Sequence, residues 1–389
     1  MKVRTCTQLI TFHRAQRASA VLMVLVCPVC GISCEETPKI DSVPRAAITW
    51  KGEGGGFAHW GCGGAYLYGT HGDQTDWLDV WTWNDGNLSK TTSVATIPGI
   101  CVTWLGNGRY LVNPTGQTNP EPSFVVHDTA DNGRSVEFIV DPSWWLQTAT
   151  LSANGRYVGL LFREQRRGNP DFNERVGVGL LDAETASFTW LLPLEQYARF
   201  AGNVRQVMPS DDGAYLAVVA WDCGAMVYDV HEEYLLWENR PRQEVCSAGV
   251  VFSPDNELIY TVGSGGFVYP MAVSDGSVQP RWAATLSGTE EYGHRISTVA
   301  ISPDGRFIAA GTGPEGLVWL WERATHKRLK IFRHGGGTIL LTHFSPDSKA
   351  LATFNGGSIK IWDMPATPTT TAPTSQPAPT SQERGTERS

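Results

Sequence analysis

The sequence carries little charge and lacks the motifs of common enzymes and nucleic-acid-binding proteins. Charged residues make up only 18% of the 389 residues, and the formal net charge is −8. Because phosphate binding needs a surplus of Lys and Arg, this acid excess argues against a nucleic-acid partner. The sequence has no Gly-x-Ser-x-Gly nucleophile elbow and no phosphate-binding P-loop. Its nine His residues are scattered rather than set at metal-ligand spacing, so we expect no catalytic residue, no metal and no cofactor.

The apolar run near the N-terminus is too short to span a bilayer. It extends from Ala18 to Val29, whereas a spanning helix needs about 20 residues. The seventeen residues before it include four cations and no acid. This order of a basic segment and a short apolar run is typical of a secretory signal, so we expect an exported protein.

The residues after this run predict how the exported chain is attached to a membrane. Gly31-Ile32-Ser33-Cys34 resembles the lipobox of bacterial lipoproteins. The resemblance implies that residues 1–34 form the signal region and that Cys34 is lipidated as the first mature residue. A single acyl anchor would tether the protein to a membrane without a spanning helix. Plain cleavage near Ser33, which would leave a periplasmic protein, and an uncleaved short anchor are the alternatives.

The C-terminal residues 365–389 have almost no apolar side chains to bury. They are rich in Thr, Ser, Pro and Gln. Such a segment cannot offset the entropy lost on ordering, so we expect a disordered tail. The folded part is then residues 43–364, and the 41 Gly and 15 Trp of the chain favour short strands joined by tight turns.

One turn phrase recurs along the folded part. Pro presets φ early in the turn, Asp caps it, and a final Gly or Asn accepts positive φ. The copies end at residues 64, 108, 155, 213, 256, 305 and 348, so they lie 43 to 58 residues apart. This is the period of a four-stranded propeller blade with insertions. The clearest copies are Phe252-Ser-Pro-Asp-Asn256, Ile301-Ser-Pro-Asp-Gly305 and Phe344-Ser-Pro-Asp-Ser348.

Two further signals accompany the turn. An apolar strand ending in an aromatic–acid pair follows most copies, as at Trp362-Asp363 and Trp321-Glu322, and Gly293-His294 precedes the sixth repeat. Together these features resemble degenerate repeats of the WD40 family over residues 43–364. The family's hydrogen-bonded set of His, Ser or Thr, Trp and Asp is complete in none of the seven repeats.

The resemblance implies an all-β, seven-bladed β-propeller. It also implies a monomeric, non-catalytic scaffold that binds a protein or peptide partner, and a blade-tying hydrogen bond from His294. Propellers of the TolB and lactonase types also use Ser-Pro-Asp-Gly turns. A periplasmic hydrolase or lactonase-like enzyme with a site in the central channel therefore stays open as an alternative.

The propeller needs a strand from the N-terminus to close. No strand follows Asp363, while the strand-like segment from Ala46 to Trp50 has no repeat of its own. We expect this segment to pair with residues 358–363, which would remove the exposed edge of the last blade.

Candidate binding residues cluster in the long connections of the first three repeats. The family resemblance places these connections, around residues 70–77, 113–123 and 163–175, on one face. It places the connection at residues 141–145, between the second and third repeats, on the same face. Arg can pair with carboxylate or phosphate groups and Trp can anchor a partner, although long loops also vary freely and Trp can pack between blades. The candidates are Asp73, Trp77, Trp144, Trp145, Arg163, Arg166 and Arg167.

Four of the eight Cys residues lie in the predicted folded part. Among these, Cys223 and Cys246 are expected on the same face of adjacent blades. An exported protein could oxidise this pair to a disulfide. The alternative is that both are small buried apolar side chains.

Overall fold

The computed structural model describes the folded part of the chain in segments, all within the compact unit Pro38–Ser389. No helix in these segments is long and apolar enough to cross a membrane. The signal region with Cys34, and the predicted tail beyond residue 366, lie outside the described residues. The described residues are 40–41, 43–49, 58–61, 66–71, 77–84, 87–95, 99–106, 109–114, 124–128, 135–138, 140, 144–164, 176–191, 204–220, 224–239, 247–263, 265–284 and 295–366.

The described residues form 29 strands in seven sheets, numbered here in chain order. Sheet 1 contains β3 (Ala58–Gly61), β4 (Tyr66–His71), β5 (Trp77–Asn84) and β6 (Asn87–Ala95); sheet 2 contains β7 (Gly99–Gly106), β8 (Arg109–Pro114), β9 (Phe124–Asp128) and β10 (Ser135–Phe138); sheet 3 contains β11 (Trp144–Leu151), β12 (Tyr157–Glu164), β13 (Val176–Asp182) and β14 (Ser187–Leu191); sheet 4 contains β15 (Val204–Pro209), β16 (Tyr215–Ala220), β17 (Gly224–Asp229) and β18 (Tyr234–Asn239); sheet 5 contains β19 (Ser247–Phe252), β20 (Leu258–Gly263), β21 (Phe267–Ala272) and β22 (Trp282–Ala283); sheet 6 contains β23 (Ile296–Ile301), β24 (Phe307–Thr312), β25 (Leu317–Glu322) and β26 (Arg328–Arg333) with β1 (Ile40–Asp41); sheet 7 contains β27 (Leu341–Phe344), β28 (Ala350–Phe354) and β29 (Ser358–Asp363) with β2 (Ala46–Thr49).

The sheets are consecutive along the chain and contact one another through their first strands. Within each sheet, strands that follow one another in sequence pair antiparallel. The first strand of every sheet contacts the first strand of the next, and β27 of sheet 7 contacts β3 of sheet 1. The predicted all-β class is confirmed, and the arrangement of antiparallel sheets is consistent with a propeller.

The recurring turn phrase connects the first and second strands of sheets 3 to 7. In each turn a Ser hydroxyl donates to the side-chain oxygen two residues later at 2.5–2.8 Å. The same hydroxyl accepts the backbone N–H five residues later at 2.8–3.1 Å. The residue that ends each phrase has positive φ, from 56° to 74°. The turn chemistry predicted from the phrase is therefore confirmed, and the Ser residues are Ser152, Ser210, Ser253, Ser302 and Ser345.

The same turns tie neighbouring sheets to each other. Asn154 in the turn of sheet 3 donates its backbone N–H to Asp211 of sheet 4 at 2.8 Å. Arg323, after β25 of sheet 6, donates to Asp255 of sheet 5 at 2.6 Å and to Tyr260 at 2.9 Å. Each turn thus closes its own hairpin and also fixes the sheet beside it.

The apolar core lies between neighbouring sheets. Sheets 6 and 7 share a cluster in which Phe307 and Leu320 pack with Phe344 and Trp362. Comparable clusters join sheets 2 and 3, sheets 3 and 4, sheets 4 and 5, and sheets 5 and 6. Both faces of an inner sheet are therefore buried, which explains the nearly continuous apolar runs of the second and third strands.

The predicted pairing of the N-terminal segment with the last strand is confirmed. β2 runs antiparallel to β29, with register from Ala46 opposite Ile361 to Thr49 opposite Ser358. Arg45 extends the pairing, because its backbone N–H donates to Ile361 at 2.7 Å and its guanidinium contacts Asp363 at 3.0 Å. Sheet 7 is thus built from both ends of the folded part.

A second N-terminal strand was not predicted. β1 pairs parallel with β26, with Ile40 opposite Ile331 and Asp41 opposite Phe332. The ordered chain therefore begins before residue 43, where the sequence placed it. Two paired residues are too short to produce an apolar periodicity, so no pattern in the sequence could indicate this strand.

Candidate functional site

A cavity of about 490 Å³ opens at the end of the molecule where the first strands of sheets 4, 6 and 7 begin. This volume lies in the range of pockets that receive small ligands or peptide side chains. In sheets 6 and 7 the connections between the second and third strands, residues 313–316 and 355–357, lie at this same end. The lining is Arg205, Arg295, Ser297, Gly313, Pro314, Thr338 and Leu340, and we call this cavity the mouth.

The mouth is basic at its rim and apolar on one side. Arg205 and Arg295 are both exposed, and the described lining contains no acid. Leu340 is 45% exposed, which is unusual for a large apolar side chain. Guanidinium groups bind carboxylate and phosphate oxygens in paired hydrogen bonds. The mouth is therefore suited to an anionic group attached to an apolar one.

The walls of the mouth are held in place by short contacts. The hydroxyl of Ser297 donates to the carbonyl oxygens of Gly311 at 3.1 Å and of Ile339 at 2.5 Å. A side chain at Gly313 would overlap the Thr338 hydroxyl, so only Gly allows this close approach. The connection between β24 and β25 is thereby packed against the segment that precedes β27.

A smaller cavity of about 70 Å³ lies between the first strands of sheets 3 to 7. It has room for a few water molecules but not for an organic substrate. Gln206 accepts the backbone N–H of Val250 at 3.0 Å, and the hydroxyls of Thr298 and Thr342 lie 3.3 Å apart. The described lining includes a single His and no carboxylate, so it offers no acid–base pair for hydrolysis.

That His is His343, and it is neutral at physiological pH. Burial lowers its pKa to about 4. Elsewhere in the described segments, no group of three or more His, Cys, Asp or Glu side chains is arranged to hold a metal ion.

The structure brings three of the sequence-predicted binding residues together at one end of sheet 3. Trp145 lies opposite Arg163, and Trp144 lies beside them at the start of β11. The Trp144 side chain is only 9% exposed, and its ring packs edge-on against Trp190 with centroids 5.5 Å apart. This ring belongs to the core between sheets 2 and 3, so it has little surface to offer a partner.

The other predicted residues add less to this group. The guanidinium of Arg163 donates through Nε to Gln147 at 2.5 Å within its own sheet. Trp77 begins β5 in sheet 1, and its side chain is outside the described set. The residues Asp73, Arg166, Arg167, His294 and the Cys223–Cys246 pair all fall outside the described residues.

Sheet 7 contains a buried hydrogen-bond network that the sequence analysis missed. Trp362 donates its Nε1–H to the hydroxyl of Thr353 at 2.9 Å, and that hydroxyl lies 2.7 Å from Nδ1 of His334. Nε2 of His334 lies 3.0 Å from the hydroxyl of Ser358. The Thr353 hydroxyl accepts from Trp362, and the tautomer of His334 sets which partner donates in its contacts with Thr353 and Ser358. Burial, and next the charge of Lys360, lower the pKa of His334 to about 4.

The network holds three of the four members of the WD40 set, so the set is incomplete in sheet 7, in line with the expectation from the sequence. The Asp is missing, and Asn355 accepts backbone N–H groups in the turn between β28 and β29. The sequence signal was weak because His334 precedes a Gly, whereas the expected order was Gly before His. Its position directly before the first strand of the last sheet could have identified it.

Comparison with known proteins agrees with these observations. A family model described as WD domain, G-beta repeat matches residues 284–322, which run from the end of sheet 5 through β25. The chain carries a WD40 repeat. Small ribosomal subunit protein RACK1 from Medicago sativa is 41% identical over 80 residues, which is 21% of this chain and 23% of that protein. RACK1z from Arabidopsis thaliana is 40% identical over 81 residues, again 21% and 23% of the two chains.

The match to these relatives is local. The chain spans about a quarter of the length of the curated relatives it matches. The comparisons therefore support a WD40-type repeat within residues 284–322.

Proposed function

We propose that the seven sheets are the blades of a closed, seven-bladed WD40-type propeller that acts as a non-catalytic scaffold for a protein or peptide partner. The observation that carries this proposal is the cycle of first-strand contacts, which leads from sheet 1 through every sheet and back to sheet 1. The WD40 match in sheet 6 and the strand β2 in sheet 7 support it. A channel enzyme has less support, because the described lining of the smaller cavity lacks a carboxylate.

The mouth is the proposed point of partner binding. Arg205 and Arg295 would pair with a carboxylate of the partner while Leu340 contacts an apolar neighbour. The preferred partner is then an acidic protein segment that carries an apolar residue next to the acid. We propose no nucleic-acid partner, since a net charge of −8 would weaken association with phosphates.

The mouth is tested by charge reversal in the full chain. Arg205→Glu with Arg295→Glu should abolish binding to acidic peptides on an array and remove the same protein bands from a crosslinked capture. Both side chains are exposed, so the free energy of unfolding should change by less than about 0.5 kcal/mol. Lys349→Glu is the matched control, because this side chain is 79% exposed and lies at the opposite end of sheet 7. Equal binding by the double variant and the control would refute the mouth as the site.

The connections of sheets 1 to 3 are proposed as a second contact region on the same face. Asp73, Arg166 and Arg167 belong to connections that join second and third strands, and Arg163 and Trp145 lie at the base of the third connection. Arg166→Ala with Arg167→Ala should weaken partner capture without affecting stability. This pair avoids Trp144, whose burial would confuse a loss of binding with a loss of folding.

The proposed location is the outer side of a bacterial membrane, with Cys34 as the lipid-bearing residue. Intact-mass measurement of the mature protein tests this directly, since a diacylated Cys34 adds lipid mass and Cys34→Ser should release a soluble periplasmic form. A thiol count on the same sample tests the Cys223–Cys246 disulfide. We further propose a monomer without metal or cofactor, which light scattering and metal analysis of the purified protein would check.

A further inference from the structure

The described residues cover the outer edge of sheet 6 only in part. β26 pairs with β25 from Arg328 to Arg333 with a bulge at Leu329, and on its other side the described residues of β1 cover Ile331 and Phe332. No strand in the described part of the chain pairs with this side of residues 328–330. An edge of this kind presents backbone N–H and C=O groups to which another extended segment can add.

This edge is also the most basic segment in the described part of sheets 6 and 7. Residues 323–333 contain five cations and no acid, in a chain whose net charge is −8. Arg328 lies over the ring of Trp319 at 5.2 Å, and Lys330 lies over Phe332 at 5.1 Å. Their alkyl stems are thus packed on aromatic rings, which holds the charges along the strand rather than leaving them free to reorient.

The protein's own N-terminal segment shows what this edge accepts. Ile40 and Asp41 pair with it as a parallel strand, and the Asp41 carboxylate contacts Nζ of Lys330 at 2.7 Å. The other carboxylate oxygen accepts the backbone N–H of Val43 at 3.1 Å. An extended segment with an acid beside Lys330 therefore already occupies the edge, but through two residues only, and Ile40 stays 39% exposed.

We propose that the outer edge of β26 is a docking edge for an extended acidic segment of a partner protein, which adds as a strand in the place now held by residues 40–41. The inference goes beyond the proposed function, because it concerns a surface separate from the mouth. A partner segment of five or six residues would pair with residues 328–333 and place its acids beside Lys330 and Arg328. β1 then acts as a short internal competitor that keeps the edge covered until such a segment binds.

A peptide is favoured over an anionic lipid surface because the contact seen at this edge is made by backbone pairing. Lipid headgroups could neutralise the cations, but they cannot supply a strand for Ile331 and Phe332. The two kinds of partner can be distinguished experimentally. A peptide strand adds in a fixed register, so its affinity depends on the order of acids in the peptide, whereas binding to a lipid surface does not.

The test uses the full chain and a fluorescent peptide with the sequence of residues 36–43. In the wild-type protein the attached segment competes at high effective concentration, so binding should be weak. Asp41→Lys repels Lys330 and releases the segment, and binding of the peptide should tighten by up to about fivefold. Hydrogen exchange of residues 328–333 should slow when the peptide is bound. Lys349→Glu, a charge reversal at a distant position, should behave as the wild type.

Charge exchange makes the test specific. Lys330→Glu should reject this peptide and instead bind a version in which the Asp is replaced by Lys. Combining Asp41→Lys with Lys330→Glu restores an internal ion pair of reversed sign. Binding of the Lys peptide should then fall to the weak level that the Asp peptide shows with the wild-type protein, while the Asp peptide stays rejected. Thermal melting of each variant shows whether the fold is kept.

Three results would overturn the proposal. One is unchanged peptide affinity in Asp41→Lys, and another is equal affinity of both peptides for Lys330→Glu. The third is that Asp41→Lys fails to bind the peptide yet gains binding to phosphatidylglycerol vesicles, which would assign the edge to a membrane surface. None of these results bears on the mouth, so each proposal can fail alone.

Discussion

Sheets 6 and 7 are built on the same strand register but are held together differently. Trp321 in sheet 6 and Trp362 in sheet 7 occupy equivalent places, each near the end of the third strand. The position that carries Thr353 in sheet 7 carries Ala310 in sheet 6. Sheet 7 therefore has a chain of buried hydrogen bonds at this point, whereas sheet 6 has apolar packing around Trp319 and Trp321.

The two sheets also differ in which parts of the chain supply their strands. The four main strands of sheet 6 are continuous in sequence, so short turns fix their pairing. Sheet 7 takes β2 from the N-terminal end of the folded part. Its network joins the segment before β27 to β28 and β29, and a fully satisfied polar network specifies one arrangement more strictly than apolar contacts do. Of these two sheets, the one with the buried hydrogen-bond network is the one whose edge strand comes from a distant segment of the chain.

The largest effect is expected from removing the N-terminal strand of sheet 7. Deleting residues 44–51 exposes the edge of β29 and the core beneath it, so the free energy of unfolding should fall by about 4 kcal/mol or more and the protein should aggregate. Replacing Ile40 and Asp41 with Gly removes the corresponding strand of sheet 6, and this should cost less than about 1 kcal/mol. Urea unfolding and size-exclusion chromatography compare the two, and a compact monomer after the deletion would contradict the role of β2.

Acid should weaken sheet 7 before sheet 6. The folded-state pKa values of His334 and His343 are each lowered to about 4, below the ordinary value near 6.5. Between these values the unfolded chain binds protons that the folded protein excludes. The free energy of unfolding should therefore fall as pH decreases from about 6.5 to about 4, by at most about 3 kcal/mol for each His.

Urea unfolding over this pH range measures the effect. His334→Gln should remove its share of the dependence and leave the share of His343. If this variant kept the wild-type slope, titration of His334 would not contribute to it.

The polar network should contribute more than an isolated buried hydroxyl. Thr353→Val leaves His334 and Trp362 without their shared partner and should cost about 2 kcal/mol. Thr261→Val in sheet 5 changes an equally buried hydroxyl whose recorded contact is the sulfur of Met271 at 3.8 Å, and it should cost less than about 1 kcal/mol. Thermal unfolding of the two variants measures the difference in stability. Equal losses of stability would show that the network acts only as three separate contacts.

The smallest effects are expected at the ion pairs on the two sheets. Arg323→Gln removes a contact to Asp255 and one to the buried Tyr260, and should cost about 1 kcal/mol. Arg45→Gln breaks the contact with Asp363, a side chain that is 65% exposed, and should cost less than about 0.5 kcal/mol. Chemical unfolding at low and high salt distinguishes the two ion pairs, because salt screens the attraction only between exposed charges.

The sequence predicted the features that depend on local chemistry or on repetition. The Ser-Pro-Asp phrase predicted the turns, because its hydroxyl, carboxylate and final positive-φ residue act within six residues. The pairing of β2 with β29 followed from counting strands in each repeat. The two-residue strand β1 was missed because nothing periodic marks so short a segment.

The candidate site was harder to predict because it depends on residues distant in sequence. Arg205 and Arg295 meet at the mouth only through the packing of three sheets. The burial of Trp144 follows from its contact with Trp190, which no pattern near Trp144 indicates. His334 acts on Thr353 and Trp362 from a different segment, so its role becomes visible only when the strands are paired.

Sheet 7 combines strands from both ends of the folded part, and this has a consequence for folding during synthesis. β29 lies between β2 and β28, so the sheet cannot form until residue 363 has left the ribosome. β2 must then find a strand more than 300 residues away, a contact with a large loop-closure cost and slow formation. A product truncated before β29 would keep β2 and the neighbouring apolar surface uncovered, which makes an incomplete copy a ready target for proteases.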